Sequence, residues 1–172
     1  MNAQIDQEIE KINNGISFEG PRYLSNSIGL NYRMNELTAA IMLKYMHKLR
    51  EWSSKREANA LFYDKNLSKI LSIQTPKKNS NIRHSYHQYT IRIKKRQALQ
   101  EHLEKKGVAT SVFYPVPLHL QPAYKYLNYK KGDFPAAEKA AEEVLSLPIG
   151  PHLTQENLNY ITEQIKSFEE DT

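Results

Sequence analysis

The chain contains no cysteine in 172 residues, which removes disulfides, thiolate nucleophiles and cysteine-ligated metals from consideration. It also lacks any stretch approaching the ~20 apolar residues needed to span a bilayer, so no membrane partner is expected. Its opening residues, Met1-Asn2-Ala3-Gln4-Ile5-Asp6, show no basic segment followed by an apolar one, so no secretory signal is read there. Internal repeats and low-complexity tracts are absent as well. These absences together fit a cytoplasmic protein.

Basic residues exceed acidic ones, 24 against 19, but they are not concentrated. They fall in scattered clusters, Lys77-Lys78, Lys94-Lys95-Arg96, Lys105-Lys106 and Lys130-Lys131, whereas a nucleic-acid surface shows a denser stripe. The pattern describes a solvated, mildly basic surface, with attraction of an anionic small molecule as a weaker alternative. No nucleic-acid partner is expected. With 40% hydrophobic and 25% charged residues, the chain has the composition of a soluble globular domain and the length for one sizeable core.

Residues 1–34 read as a lead-in. Ile5, Ile9 and Ile12 lie on one short helical face, and a loop-like stretch follows from Gly20. Asn35 is placed to cap a long helix over 35–66. Eight of the ten residues from Leu37 to Met46 are apolar, and a helix apolar on all sides is covered on all sides. One small domain covers only one side, so a second subunit or a further domain is expected against it. The continuation is amphipathic, with Ala58, Leu61 and Phe62 as the apolar face.

A β/α module follows. Tyr89, Ile91 and Ile93 alternate with polar residues as in a half-buried strand. Leu99 and Leu103 mark a helix over 95–106 that ends at Gly107, where a C′ glycine belongs. Val108 to Tyr114, rich in β-branched and aromatic residues, predicts a second strand, and Pro115, Pro117 and Pro122 stop it. Pro135 opens another helix, and Leu145-Ser146-Leu147-Pro148 is short and extended. Thr154 caps the last helix, with a Leu153/Leu158 staple and an apolar face of Leu158, Ile161, Ile165 and Phe168. The fold class expected is α/β, more strictly α+β, with a long helix leading into a small mixed sheet covered by helices. Residues 35–172 form the small domain and residues 1–34 belong to a larger one.

Several motifs in fixed order carry a resemblance. Gly29-Leu30-Asn31-Tyr32-Arg33 precedes the helix bearing Ala39-Ala40, Arg56 and Tyr63. Tyr86-His87-Gln88-Tyr89-Thr90-Ile91 and Arg96 come next, then the turn Tyr114-Pro115-Val116-Pro117-Leu118-His119-Leu120-Gln121-Pro122. Gly132-Asp133-Phe134-Pro135, Glu138 and Leu145 to Pro148 complete the series. Most of the chain thus resembles the C-terminal part of the DegT/DnrJ/StrS-type sugar aminotransferases. Such enzymes are fold-type I, use pyridoxal phosphate, and move an amino group from glutamate or glutamine to a keto sugar carried on a nucleotide.

The resemblance implies a pyridoxal phosphate cofactor in the complete enzyme, a nucleotide-sugar substrate, and a homodimer or an N-terminal cofactor domain as partner. The lysine that bonds the cofactor sits, in the family, in a serine-containing segment soon followed by glycines. Ser53-Ser54-Lys55-Arg56 has no such glycines and lies inside a helix. No catalytic residue is therefore assigned, and this chain alone is expected to be inactive. One alternative is a truncated, inactive fragment, and another is a basic module for nucleotide or nucleic acid.

For Asn31 the resemblance implies contact with the cofactor phosphate of the neighbouring subunit, which an amide just before a helix N-terminus suits. Asn31 as a mere shaper of the loop is the alternative. Arg33 is a substrate-binding candidate for phosphate or carboxylate, or else an interface ion pair. Tyr114 and His119 flank the rigid proline turn, and in the family similar residues line the sugar-nucleotide side of the pocket. A turn packed on Tyr114, Leu118 and Leu120 explains them equally. His84 and His87 have ligand-like spacing but no third ligand nearby, so no metal site is assigned.

Overall fold

Period-four and period-two apolar patterns along the chain meet in one core. The computed structural model describes residues 34–79 and 81–170. The chain divides into two compact units, Met1–Ile41 and Met42–Thr172. Of the first, only residues 34–41 are described. They begin helix α1, Glu36–Met46, and Asn35 caps it as expected, its Oδ1 accepting the Thr38 N–H at 2.8 Å.

No residue of α1 is buried. Leu37, Leu43 and Met46 are each more than half exposed, so the apolar surface read from the sequence stands open around this helix. Helix α2, Leu49–Leu67, follows after a break at residues 47–48. There Lys48 N–H bonds the Tyr45 carbonyl three residues back at 2.9 Å. The single helix expected over 35–66 is thus two.

The second unit is built on β1, Tyr89–Arg92, and β2, Val144–Leu147, paired antiparallel with Tyr89 opposite Leu147 and Ile91 opposite Leu145. One isolated antiparallel bridge flanks each strand, Gln74 to Arg92 and Ser111 to Ser146. The sheet is therefore antiparallel where a mixed one was expected. The strand expected over Val108 to Tyr114 shrinks to the Ser111 bridge. Only the Ser111 N–H and carbonyl find a strand partner, at Ser146, and Pro115 beyond has no N–H to continue a ladder.

Helix α3, Arg96–Lys105, ends in a Schellman motif. Val108 N–H bonds the Leu103 carbonyl at 2.8 Å and Gly107 N–H that of Glu104 at 2.9 Å. Gly107 takes φ +73°, as its position requires. Two short 3₁₀ turns, Leu118–Leu120 and Pro122–Leu127, precede α4, Pro135–Glu143. Helix α5, Gln155–Glu170, starts with a reciprocal cap. Asn157 N–H donates to Thr154 Oγ1, and Thr154 N–H donates back to Asn157 Oδ1.

Leu158, Ile161, Ile165 and Phe168 of α5 are buried against Leu99 and Leu103 of α3 and against α2. The α2 face differs from the expectation: Leu61 is half exposed and Ala58 is exposed, while Asn59, Ala60, Tyr63 and Leu67 are buried. Tyr63 fixes this phase. Its ring stands 5.0 Å from that of Tyr89 and its hydroxyl donates to the Pro148 carbonyl at 2.8 Å. Tyr89 in turn donates to Asp64 Oδ1 at 2.6 Å. Burial drives both phenols well above their usual range.

Candidate functional site

The prolines at 115, 117 and 122 forbid regular structure over the segment that carries Tyr114 and His119. What holds the segment is a single carboxylate. Pro135 fixes the first turn of α4 and thereby aims Glu138 back over the loop. Glu138 Oε1 accepts the Gly132 N–H at 2.8 Å and the Phe134 N–H at 3.4 Å, and Oε2 lies 3.0 Å from the same glycine nitrogen. His119 Nε2 lies 3.0 Å from Oε1, with the two side chains only 8% and 11% exposed.

Gly132 adopts φ +102°, a conformation that turns its N–H toward the carboxylate at no steric cost. The Gly132 N–H, with His119 and the Phe134 N–H adding to it, holds the Glu138 carboxyl below the usual carboxylate range. Phe134 closes the arrangement, its ring 4.8 Å from His119 and 5.0 Å from Tyr129.

The turn so held presents Tyr114, 73% exposed, beside a cavity of about 340 Å³. Phe113, Val116 and Leu118 from the turn and Ala137 and Ala141 from α4 form its walls. Tyr114 and His119, paired by the sequence reading, therefore occupy different settings. The phenol faces open space, whereas the imidazole has turned inward and spent one nitrogen on Glu138. Asn31 and Arg33 lie outside the described residues.

His84 Nδ1 is engaged, accepting the Tyr86 N–H at 3.0 Å. Among the described residues no three His, Asp or Glu side chains come together as a metal site. Among those residues, too, no helix is long and apolar enough to cross a membrane.

Two residues whose work the sequence reading left unassigned stand out. Glu138 was noted only for its place in the motif order, although a Pro at the first helical position with Glu three residues on signals a side chain directed back at the preceding loop. Arg56, noted in the same way, sits against a second cavity and has no hydrogen-bond partner for its Nε among the described residues.

Comparison with known proteins decides the family. The model of the DegT/DnrJ/EryC1/StrS aminotransferase family matches residues 2–166. The chain belongs to this family.

It is 44% identical over 151 residues to a "pleiotropic regulatory protein" of Geobacillus stearothermophilus, a match covering 86% of this chain and 40% of that protein. It is 34% identical over 149 residues to the dTDP-3-amino-3,4,6-trideoxy-alpha-D-glucose transaminase of Streptomyces venezuelae, covering 87% and 39%. Among solved structures, that of S. venezuelae DesV in complex with a ketimine intermediate superposes with a TM-score of 0.79 at 32% identity. That match covers 96% of this chain and 44% of DesV. The fold is that of the C-terminal part of fold-type I aminotransferases, and the chain spans about 40% of the length of the curated relatives it matches.

The family is one of pyridoxal phosphate enzymes. The described residues do not fit that group as a covalent ligand, because every described lysine is exposed. Lys55 in particular is engaged with Glu51 at 2.7 Å on the surface.

Proposed function

We propose that this chain supplies the sugar-nucleotide side of the pocket, and part of the subunit interface, of a cytoplasmic pyridoxal phosphate-dependent aminotransferase. Such an enzyme passes an amino group from glutamate or glutamine to a keto nucleotide-sugar. The observation that carries the reading is the Glu138-held proline turn, which presents an exposed Tyr114 beside an open cavity within a family of sugar aminotransferases. A phenol is both donor and acceptor, suited to sugar hydroxyls and diphosphate oxygens. His119 serves this pocket by fixing the turn and, through its other nitrogen, by meeting a ligand that closes over it.

Asn31 and Arg33 are assigned to anions in the same reading, Asn31 to the cofactor phosphate and Arg33 to phosphate or carboxylate of the substrate. The partners are a second subunit and a cofactor-bearing domain. The test joins the chain to such a domain. Tyr114→Phe and His119→Ala should raise KM for the sugar nucleotide with the cofactor retained. Asn31→Ala should weaken cofactor retention roughly tenfold, the worth of one hydrogen bond to a charged group. Equal effects of all three changes on cofactor and sugar would refute this division of roles.

The exposed lysines favour a second reading for the chain alone, that of an inactive fragment. Adding pyridoxal phosphate to it should then give no stoichiometric Schiff-base absorbance. A band abolished by replacing one particular lysine would refute that reading.

A further inference from the structure

Phe113 stands where the Ser111 bridge ends and the proline turn begins. Its backbone is pinned on both sides. Ser111 is tied to Ser146 before it, and after it Gln121 Nε2 donates to the Val116 carbonyl at 3.3 Å. The side chain stays outside the buried core, 42% exposed, with its ring set edgewise to that of Tyr114 at 5.6 Å. A phenylalanine ring has no hydroxyl or N–H to offer a partner, so what it contributes at such a place is bulk.

Two cavities border Phe113, and no other residue lines both. The one of about 340 Å³ beside Tyr114 has hydrocarbon walls, with Tyr114 and Gln121 as its only polar side chains. The other, of about 290 Å³, is polar, its walls including His87, Gln88, Thr110 and Ser111. Phe113 is therefore the partition between an apolar chamber and a polar one.

Specificity is a difference of affinities, and a clash against the wrong ligand creates it as surely as a contact with the right one. Resting on the nucleotide-sugar reading above, we infer that Phe113 sets the size of the sugar substituent that the pocket admits. A sugar carrying only hydroxyls fits beside Tyr114, whereas one carrying an acetamido group meets the Phe113 ring. Forcing the larger group in displaces a side chain whose backbone is held at both ends, and overpacking of that kind lowers affinity roughly tenfold to a hundredfold. With the ring removed, the amide gains the polar chamber beyond, where Gln88, Thr110 and Ser111 offer partners for its N–H and carbonyl.

The test is NMR titration of the ¹⁵N-labelled chain with the UDP and dTDP derivatives of glucose and of N-acetylglucosamine. UDP and dTDP alone give the reference for the nucleotide. The Ala137 and Ala141 amides report the Tyr114 side of the partition, and the His87 and Gln88 amides report the far side. In the wild type the glucose compound should shift Ala137 and Ala141 beyond the nucleotide alone and leave His87 and Gln88 unmoved. The N-acetylglucosamine compound should bind roughly tenfold or more weakly. Phe113→Ala should abolish that difference, and the N-acetylglucosamine shifts should then reach His87 and Gln88. Phe113→Tyr, which keeps the ring, should keep the discrimination. Unmoved Ile91 and Leu145 amides verify that each variant folds, and if Phe113→Ala does not, Phe113→Leu carries the same test with a smaller change in the ratio.

Equal wild-type affinity for the two sugars overturns the proposal. So does an unchanged ratio in the trimmed variant, or wild-type glucose shifts at His87 as large as those at Ala141. Each of these leaves the sugar reading standing, because the glucose compound still binds beside Tyr114. Shifts at Ala137 and Ala141 no larger than those of the nucleotide alone instead remove the sugar reading, and the role of Phe113 falls with it.

Discussion

Replacing Glu138 should release the loop that carries the pocket turn without unfolding the domain. The carboxylate accepts from Gly132 N–H at 2.8 Å, from His119 Nε2 at 3.0 Å and from Phe134 N–H at 3.4 Å. It contributes nothing to the apolar core. A hydrogen bond to a charged acceptor is worth a factor of about ten to a hundred in an equilibrium constant. Two of these bonds are short and the carboxylate is 11% exposed, so Glu138→Ala should raise the opening equilibrium of this loop by at least about tenfold. The assay is amide hydrogen exchange. Protection at Gly132 and Phe134 should fall by that factor, while Ile91 and Leu145 in the strands, and Ile165 in α5, keep theirs.

The same contact has a pH signature of defined sign. The Glu138 carboxyl titrates below its ordinary value of 4.5 in the folded protein, chiefly through the Gly132 N–H. The stabilisation of the loop is therefore fully present above about pH 4.5, and is lost as pH falls below that through the depressed folded value. Gly132 protection should decline in that acid window in the wild type and be flat there in Glu138→Gln. Unchanged protection at Gly132 in Glu138→Ala, or a loss spread evenly over the strands, would refute the reasoning.

Other changes probe the scaffold. Tyr63→Phe removes the donor to the Pro148 carbonyl and should cost about 1 kcal/mol, seen as a lower urea midpoint at unchanged slope. Ile165→Ala, at a site with 0% exposure in the α5 core, should cost about 2–5 kcal/mol by the same measurement. Met42→Glu and Met46→Glu act on exposed apolar positions of α1 and should raise the monomer fraction in sedimentation without changing the urea midpoint. A wild-type chain that sediments as a clean monomer at high concentration would count against α1 as an interface.

Elements whose signals are local were legible in the sequence. Asn35, Gly107 and Thr154 each mark a helix boundary through a bond made within a few residues, Pro135 marks one through its own fixed φ, and each stands where the chain pattern put it. The α5 face was legible for a related reason: four residues at helical spacing, without rivals on the other faces, leave one orientation. The α2 face was not. Leu61 and Phe62 compete with Ala60 and Tyr63, and the outcome rests on the Tyr63 contacts with Tyr89 and Pro148, 26 and 85 residues away. The strand expected at 108–114 failed likewise. Propensity favours it, but a strand exists only where a neighbour answers its N–H and carbonyl groups, and only Ser146 answers, at Ser111.

The candidate site repeats this division. Its proline turn was visible because proline acts on its own backbone, yet the direction of the two rings on it was not. A histidine at such a turn is equally at home facing a ligand or facing inward. What settles it is an acceptor 19 residues on, held by a glycine whose positive φ turns its N–H to the same carboxylate. Glu138, Gly132 and His119 are therefore one unit: the motif spacing of 132–138 encodes the clamp, and the clamp determines that Tyr114, not His119, stands open to the cavity.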